Sequence, residues 1–127
     1  MTFSRHWFKL LVVLWMLVIF WLSSQSSMPV PMPALFPGQD KLGHLIIYSI
    51  LGLFVALAFC RDPKKGMCLL LTFSIALLYG ISDEWHQSFG PNRDMSGWDL
   101  VADALGGLVG GFIARLLLLT RLVRLKS

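Results

Sequence analysis

Four long apolar segments constrain the fold of this 127-residue chain more than any other feature. A helix needs about 20 residues to cross a bilayer, and the segments reach that length once aromatic residues flanking the first and third are included. None alternates as a strand does, and a transmembrane barrel needs about eight strands. The sequence therefore predicts an all-α polytopic membrane protein, a bundle of four transmembrane helices at about residues 7–24, 41–60, 67–88 and 97–120.

The composition agrees with a membrane protein. Charged residues make up only 14% of the chain and hydrophobic residues 56%, whereas soluble domains have about 25% charged residues. A disordered chain, a nucleic-acid-binding protein and a disulfide-stapled miniprotein are excluded on this basis. Because the length suits one domain, residues 1–127 are expected to form a single membrane domain.

Lysine and arginine mark the cytoplasmic connections of membrane proteins. Here the N-terminal segment, the connection RDPKKG and the region from Arg115 onward together carry nine basic residues and one acidic residue, Asp62. The opposite side carries six acidic and two basic residues. We therefore expect both termini in the cytoplasm. An alternative is that the first segment is a signal peptide, whose removal would leave three helices.

The two cysteines, Cys60 and Cys68, flank the connection that is expected in the cytoplasm. Thiols in that compartment stay reduced, so we expect both to be free. They do not form a Cys-x-x-Cys pair, and this argues against redox catalysis and against a zinc knuckle.

Polar side chains are concentrated at one end of the second, third and fourth segments. In the second, Asp40, His44 and Tyr48 are four residues apart and share a helical face. All three groups lie on the side expected to be extracytoplasmic, and ionisable groups at membrane depth mark a function or a paired contact. We therefore predict a polar cleft at the outer membrane surface, with Asp40 and Lys41 at its rim. Its expected members are His44, Asp83, Glu84, His86, Gln87, Arg93, Asp99 and Asp103.

The residue types in this cleft indicate acid–base chemistry on a phosphate. A histidine transfers protons near neutral pH when a carboxylate orients its ring, and lysine and arginine bind phosphate. Imidazole and carboxylates also suit Mg²⁺, Mn²⁺ or Zn²⁺, so the cofactor is unknown and a divalent metal is one candidate. The candidate catalytic residues are His44, Asp83, Glu84, His86 and Asp99, and the candidate substrate-binding residues are Lys41, Tyr48, Gln87, Arg93 and Asp103.

Several of these residues also have a purely structural interpretation. Ser96 and Asp99 have the spacing of a capping box, in which Asp99 would only complete the start of the fourth helix. Glu84 would be solvated if it points away from Asp83. Structural roles are also open for His44 (a bond between helices), Tyr48 (an interface anchor) and Arg93 (an ion pair with Asp94).

The fourth segment contains a small-xxx-small pattern of glycines, which lets another helix approach closely. The partner of this face is a neighbouring helix or a second copy of the chain, so a homo-oligomer is one candidate. The glycines are Gly106, Gly107, Gly110 and Gly111.

Four stretches of the sequence resemble the VanZ-like family. They are SSQSS after the first segment, DKLGHLIIY, YGISDEWHQSFGPNR and DLVADALGGLVGG, and the resemblance extends from about Trp15 to Gly111. The family pattern often has Asn at the position of Asp103. The resemblance implies a small multi-pass protein of the bacterial inner membrane, linked through the founding member to low-level teicoplanin resistance. It also implies action on lipid head groups.

The leading hypothesis is an enzyme that hydrolyses, or transfers a group from, a phosphorylated lipid or a lipid-linked cell-envelope precursor at the outer leaflet. Two alternatives are a non-enzymatic protein that binds such a lipid or a glycopeptide, and a structural membrane partner. The sequence contains no nucleotide-binding loop and no Gly-x-Ser-x-Gly elbow.

Overall fold

The computed structural model describes residues 5–25, 35–63, 65–91 and 95–124, and the regular secondary structure in these ranges is entirely helical. The helices are α1 (Arg5–Ser23), α2 (Gln39–Phe59), α3 (Met67–Gln87) and α4 (Gly97–Arg124). Each is long and apolar enough to cross a membrane. The prediction of a four-helix membrane protein is therefore confirmed, and the orientation with both termini in the cytoplasm stays a prediction.

Local features fix where the helices begin and end. α2 follows Gly38, whose φ of 87° is a left-handed conformation that glycine adopts without steric cost. Pro63 lies in the connection between α2 and α3, where its ring cannot continue a helix. α4 follows Ser96, whose hydroxyl accepts a hydrogen bond from the backbone N–H of Asp99 at 3.3 Å. Ser96 thus satisfies one of the free amide donors in the first turn of α4.

α4 packs against α2 on one side and against α3 on the other. Glycines allow the backbones to come close: a Cβ at Gly106 would lie 2.7 Å from the carbonyl oxygen of Leu45 on α2, and a Cβ at Gly107 would lie 2.6 Å from that of Thr72 on α3. Gly106 and Gly110 face α2, whereas Gly107 and Gly111 face α3.

All four glycines are buried, because each lies against a neighbouring helix of the same chain. The close approach that the small-xxx-small pattern predicts therefore occurs within one copy. Homo-oligomerisation stays a prediction, and the glycine face that was expected to carry it is already covered by α2 and α3.

α1 packs on α2 and α3 at the outside of the bundle. Two hydrogen bonds hold it there: Trp15 Nε1 donates to the carbonyl oxygen of Ile47 at 2.9 Å, and the Tyr79 hydroxyl donates to that of Met16 at 2.6 Å. The opposite face of α1 exposes large apolar side chains, as expected of a helix in contact with lipid. They include Trp7, Leu10, Leu14, Leu17 and Trp21.

The four helices alternate in direction, so the bundle has two chemically different ends. The polar end consists of residues 23–25, 39–48, 83–91 and 95–103. The basic end consists of residues 5–9, 57–63, 65–68 and 115–124. Arg5, Arg61 and Arg121 lie at the basic end, whereas the acidic residues of α2, α3 and α4 lie at the polar end.

The expectation of free thiols is wrong, because Cys60 and Cys68 form a disulfide at the basic end. Cys60 directly follows the last residue of α2, and Cys68 lies in the first turn of α3. The short connection brings the two Cα atoms to 5.5 Å, a separation at which disulfides commonly form. The expectation failed because it considered only the compartment and not this local geometry.

We expect the purified protein, kept without reductant, to have no thiol that reacts with a maleimide. After unfolding and treatment with dithiothreitol, two thiols per chain should react, because the disulfide accounts for both cysteines. Mass spectrometry of the alkylated protein measures the number. Two reactive thiols before reduction would contradict the structure.

Candidate functional site

A histidine–carboxylate pair joins α2 to α4 at the polar end. The Nδ1 atom of His44 lies 2.9 Å from Oδ1 of Asp103. The Asp103 side chain is fully buried, and the imidazole is 21% exposed. A carboxylate only accepts hydrogen bonds, so Nδ1–H donates and the second ring nitrogen, Nε2, is left for other chemistry. His44 therefore does join two helices, and the same bond fixes its ring.

Gly80 of α3 makes room for Asp103. A Cβ at this position would lie 2.5 Å from Asp103 Oδ2 and 3.1 Å from Asp103 Cβ. Within the described part of the chain, Oδ2 has no hydrogen-bond partner. The buried carboxylate therefore points one oxygen at His44 and packs the other against the surface of α3.

Lys41 links the start of α2 to the start of α4. Its ammonium lies 2.7 Å from Oδ2 of Asp40 and 3.1 Å from Oδ1 of Asp99. The Asp40 side chain is 63% exposed and that of Asp99 only 15%. Lys41 therefore stands at the boundary between the water-exposed edge and the interior of the polar end.

Glu84 is buried, with 2% of its surface exposed, so the interpretation of a solvated Glu84 is wrong. Its Oε2 atom accepts a hydrogen bond from the backbone N–H of Ser96 at 2.8 Å, while Oε1 has no partner among the described residues. In a capping box the acid at the position of Asp99 would accept this N–H. Because Glu84 takes that place, the Asp99 carboxylate accepts from Lys41 instead.

Asp83 accepts the hydrogen bonds in a second cluster of side chains, which also contains Tyr48 and Gln87. The side-chain amide of Gln87 donates to its Oδ2 atom at 3.1 Å, and the Tyr48 hydroxyl lies 3.5 Å from the same oxygen. Tyr48 is 1% exposed, and its ring stacks at 6.4 Å from that of His44. This group supports the inner side of the imidazole.

His86 has its contacts on α1, away from the partners of His44. Its Nε2 atom lies 3.1 Å from the Ser24 hydroxyl, and its ring stacks on Phe20 with centroids 4.5 Å apart. Ser24 donates its own proton to the carbonyl oxygen of Phe20 at 2.7 Å, so it is not oriented to give that proton to His86. A cavity of about 280 Å³ lies beside this pair.

The helical rotation explains this division. His86 is two positions after Glu84, which turns the two side chains about 200° apart on α3. Glu84 consequently meets the start of α4, whereas His86 meets the end of α1. The sequence spacing places His86 and Asp83 on one face, but only the packing of α1 shows where His86 goes. Arg93 and Asp94 lie outside the described residues.

Three predicted residues converge from three helices. His44 of α2, Glu84 of α3 and Asp99 of α4 each place one ligand atom within 4.8 Å of those of the other two. No spacing within one segment indicates this trio, because it depends on how the helices are rotated against one another. Sequence reasoning did not identify two supporting features, the backbone N–H of Ser96 and the space provided by Gly80. A glycine within an apolar helix was the only signal for the second.

Comparison with known proteins adds one finding to this geometry. The family model described as VanZ/LLP1 matches residues 8–118. The matched region includes all of α2 and α3, most of α1 and α4, and every residue of the trio. No curated protein and no solved structure matches the chain.

Proposed function

This chain belongs to the VanZ/LLP1 family, and we propose that it acts on a phosphorylated lipid or a lipid-linked cell-envelope precursor, whose head group enters the polar end. The observation that carries the proposal is the His44–Asp103 pair, 2.9 Å apart and only partly exposed, at one end of a membrane-spanning bundle. The pair lies near the ends of helices that are long enough to cross a membrane, and lipid head groups lie at the ends of such helices. The reaction is hydrolysis, in which water forms a new P–O bond and the P–O bond to the leaving group breaks, or transfer, in which an acceptor hydroxyl takes the place of that water; the leaving oxygen takes up the proton that the nucleophile loses.

The roles follow from the contacts. Asp103 holds the imidazole with Nδ1–H toward itself, so Nε2 is the atom that meets the substrate, a water molecule or a cation. Lys41, whose side chain is 40% exposed, is the cation at the entrance and contacts a phosphate oxygen. Asp83, Tyr48 and Gln87 are positioning residues, because Tyr48 and Gln87 both donate to Asp83 and the Tyr48 ring stacks beside the imidazole.

The orientation is part of the proposal. We place the polar end at the outer leaflet of a bacterial inner membrane, because the basic end carries the arginine and lysine residues typical of cytoplasmic connections. The disulfide at the basic end favours the opposite orientation, because disulfides persist in oxidising compartments. Reporter fusions after Ser27, Lys65 and Asn92 test this placement. We expect a cytoplasmic signal at Lys65 only, and the opposite pattern would move the reaction to the inner leaflet.

The direct test incubates the purified protein in nanodiscs with labelled phospholipids and polyprenyl phosphates, with and without added divalent cations. We expect conversion of one lipid class and release of a phosphate-containing product, measured by thin-layer chromatography and mass spectrometry. Absence of turnover across the panel would contradict an enzyme. Saturable binding with recovery of unchanged lipid would instead indicate a lipid-binding protein.

We also propose that the reaction contributes to teicoplanin resistance, as the family resemblance implies. The test compares a strain that overproduces the wild-type protein with one that overproduces His44→Ala. If the proposal is correct, only the first strain has a raised inhibitory concentration and an altered lipidome. Equal inhibitory concentrations in the two strains would contradict this role.

A further inference from the structure

We propose that His44, Glu84 and Asp99 bind a divalent transition-metal ion, such as Mn²⁺ or Zn²⁺, at the polar end. The inference deepens the proposed function and rests on it for one consequence only: the ion would be the group that receives the phosphate. Metal binding itself is argued from the contacts of these three side chains.

The spacing of the three ligands suits one ion. Their ligand atoms lie within 4.8 Å of one another. Two ligands on the same ion are at most about 4.4 Å apart, which is twice a metal–oxygen bond of about 2.2 Å. The three ligand atoms must therefore move closer together to bind one ion. One imidazole and two carboxylates form a mixed nitrogen and oxygen set, which suits Mn²⁺ or Zn²⁺ better than an all-oxygen ion.

Glu84 supplies an independent observation that points to a ligand. Its side chain is 98% buried, yet Oε1 has no hydrogen-bond partner among the described residues. A buried carboxylate oxygen without a partner is costly, and such atoms require an explanation. The other oxygen, Oε2, is held by the N–H of Ser96 at 2.8 Å. A cation shared with His44 and Asp99 would satisfy Oε1 without disturbing that bond.

His44 and Asp103 have the arrangement of a metal-binding histidine with its supporting carboxylate. Such histidines donate the second ring N–H to a carboxylate, which orients the ring and increases the basicity of the ligating nitrogen. Here Nδ1 takes the supporting bond at 2.9 Å, which leaves Nε2 as the ring nitrogen available to an ion. Asp103 is fully buried, so it fixes the ring without competing for the ion.

The charge of the polar end also favours a cation. Its described residues include five carboxyl groups but only one ammonium group, that of Lys41. That ammonium is already shared between Asp40 and Asp99. A phosphate approaching this group of acids would be repelled, whereas a bound divalent ion would reverse the local charge. The ion therefore explains how an acidic site accepts an anionic head group.

The experiment measures metal binding by the full-length protein in nanodiscs after removal of metal with EDTA. Isothermal titration is carried out with Mn²⁺, Zn²⁺, Mg²⁺ and Ca²⁺, and the bound Mn²⁺ is examined by electron paramagnetic resonance. We expect one Mn²⁺ or Zn²⁺ per chain. Glu84→Gln and Asp99→Asn should each weaken binding at least about tenfold. Asp103→Asn should weaken it by about 10- to 100-fold, because it removes the charge of the supporting carboxylate.

Asp40→Asn is the matched control. It removes a negative charge one turn from His44, but not a ligand, so the affinity should change less than about threefold. An equal loss in Asp40→Asn and Asp99→Asn would mean that charge alone attracts the ion and would overturn the site. Thermal unfolding of each variant identifies any that is misfolded. If Glu84→Gln is misfolded, the metal affinity of Asp99→Asn, which lies at a partly exposed position, decides whether the site exists. No stoichiometric binding of Mn²⁺ or Zn²⁺ to the wild-type protein also overturns the inference.

The two proposals fail in different ways. Lipid turnover that persists in EDTA, by a protein that binds neither Mn²⁺ nor Zn²⁺, overturns the metal site and leaves the proposed function intact. Stoichiometric metal binding without turnover of any lipid supports the metal site and contradicts the proposed reaction.

Discussion

The His44→Ala variant is expected to turn over its lipid about 100- to 10,000-fold more slowly than the wild-type protein. This is the range expected when a positioned acid–base group is lost. A loss at least as large is expected if Nε2 of His44 instead binds the metal ion that receives the phosphate. His44 is the residue on which the other contacts converge: Asp103 orients it at 2.9 Å, and Tyr48 stacks beside it. Initial rates on the lipid identified in the panel, measured at saturating substrate, provide the test.

His6→Ala is the matched control for this variant. It removes an imidazole from α1 at the basic end, so turnover should stay within about threefold of the wild-type rate. Asp103→Asn should give an intermediate loss, because its amide oxygen still accepts the bond from Nδ1 but carries no charge. If His44→Ala retained full turnover, the pair with Asp103 would have only a structural role.

The second large effect is expected on stability, from Gly110→Ala. A Cβ at this position would collide with the Ser49 carbonyl oxygen and lie 2.6 Å from the backbone nitrogen of Leu53 on α2. Backbone atoms of a packed helix cannot move aside as a side chain can, so the helices must separate. Overpacking of this kind costs about 1–3 kcal/mol, and we expect at least about 2 kcal/mol lower free energy of unfolding. Steric-trapping or SDS titration measures this change.

Gly43→Ala is the control for the gain in helix propensity, which is about 1 kcal/mol for both substitutions. A Cβ at Gly43 meets no atom within 4 Å among the described residues. Its free energy of unfolding should therefore be unchanged or slightly higher. Gly110 allows α4 to lie close to α2. Because Gly110→Ala pushes these helices apart, it should also weaken the His44–Asp103 contact and lower turnover. Equal stability of the two variants would contradict the close approach of α2 and α4.

The helices could be predicted from the sequence because a membrane requires a minimum apolar length, which four segments reach. That requirement acts on each segment separately, so no knowledge of packing was needed. The common location of the polar groups could also be predicted, since alternating helices bring the start of α2 to the end of α3 and the start of α4. Lys41 and Asp99 illustrate this, as they meet at 3.1 Å across two helices.

The individual partners could not be predicted, because they depend on the rotation of each helix. Glu84 and His86 are two residues apart, yet Glu84 bonds to Ser96 just before α4, and His86 bonds to Ser24 just after α1. The spacing of Ser96 and Asp99 predicts a capping box, but the acid that accepts the Ser96 N–H comes from α3. Similarly, the glycines of α4 predicted a close contact, while the choice between a neighbouring helix and a second copy required the packed bundle.

The disulfide at the basic end sets two rules about membrane orientation against each other, and an experiment can decide between them. The basic residues beside Cys60 and Cys68 favour the cytoplasm, whereas a disulfide persists in an oxidising compartment. The oxidation state of Cys60 and Cys68 in growing cells therefore reports on which side of the membrane the basic end lies. Reduced thiols would mean that the basic end lies in the cytoplasm and that the site at the polar end acts on lipids of the outer leaflet. An intact bond would place the same site at the inner leaflet, where nucleotide-activated donors are within reach.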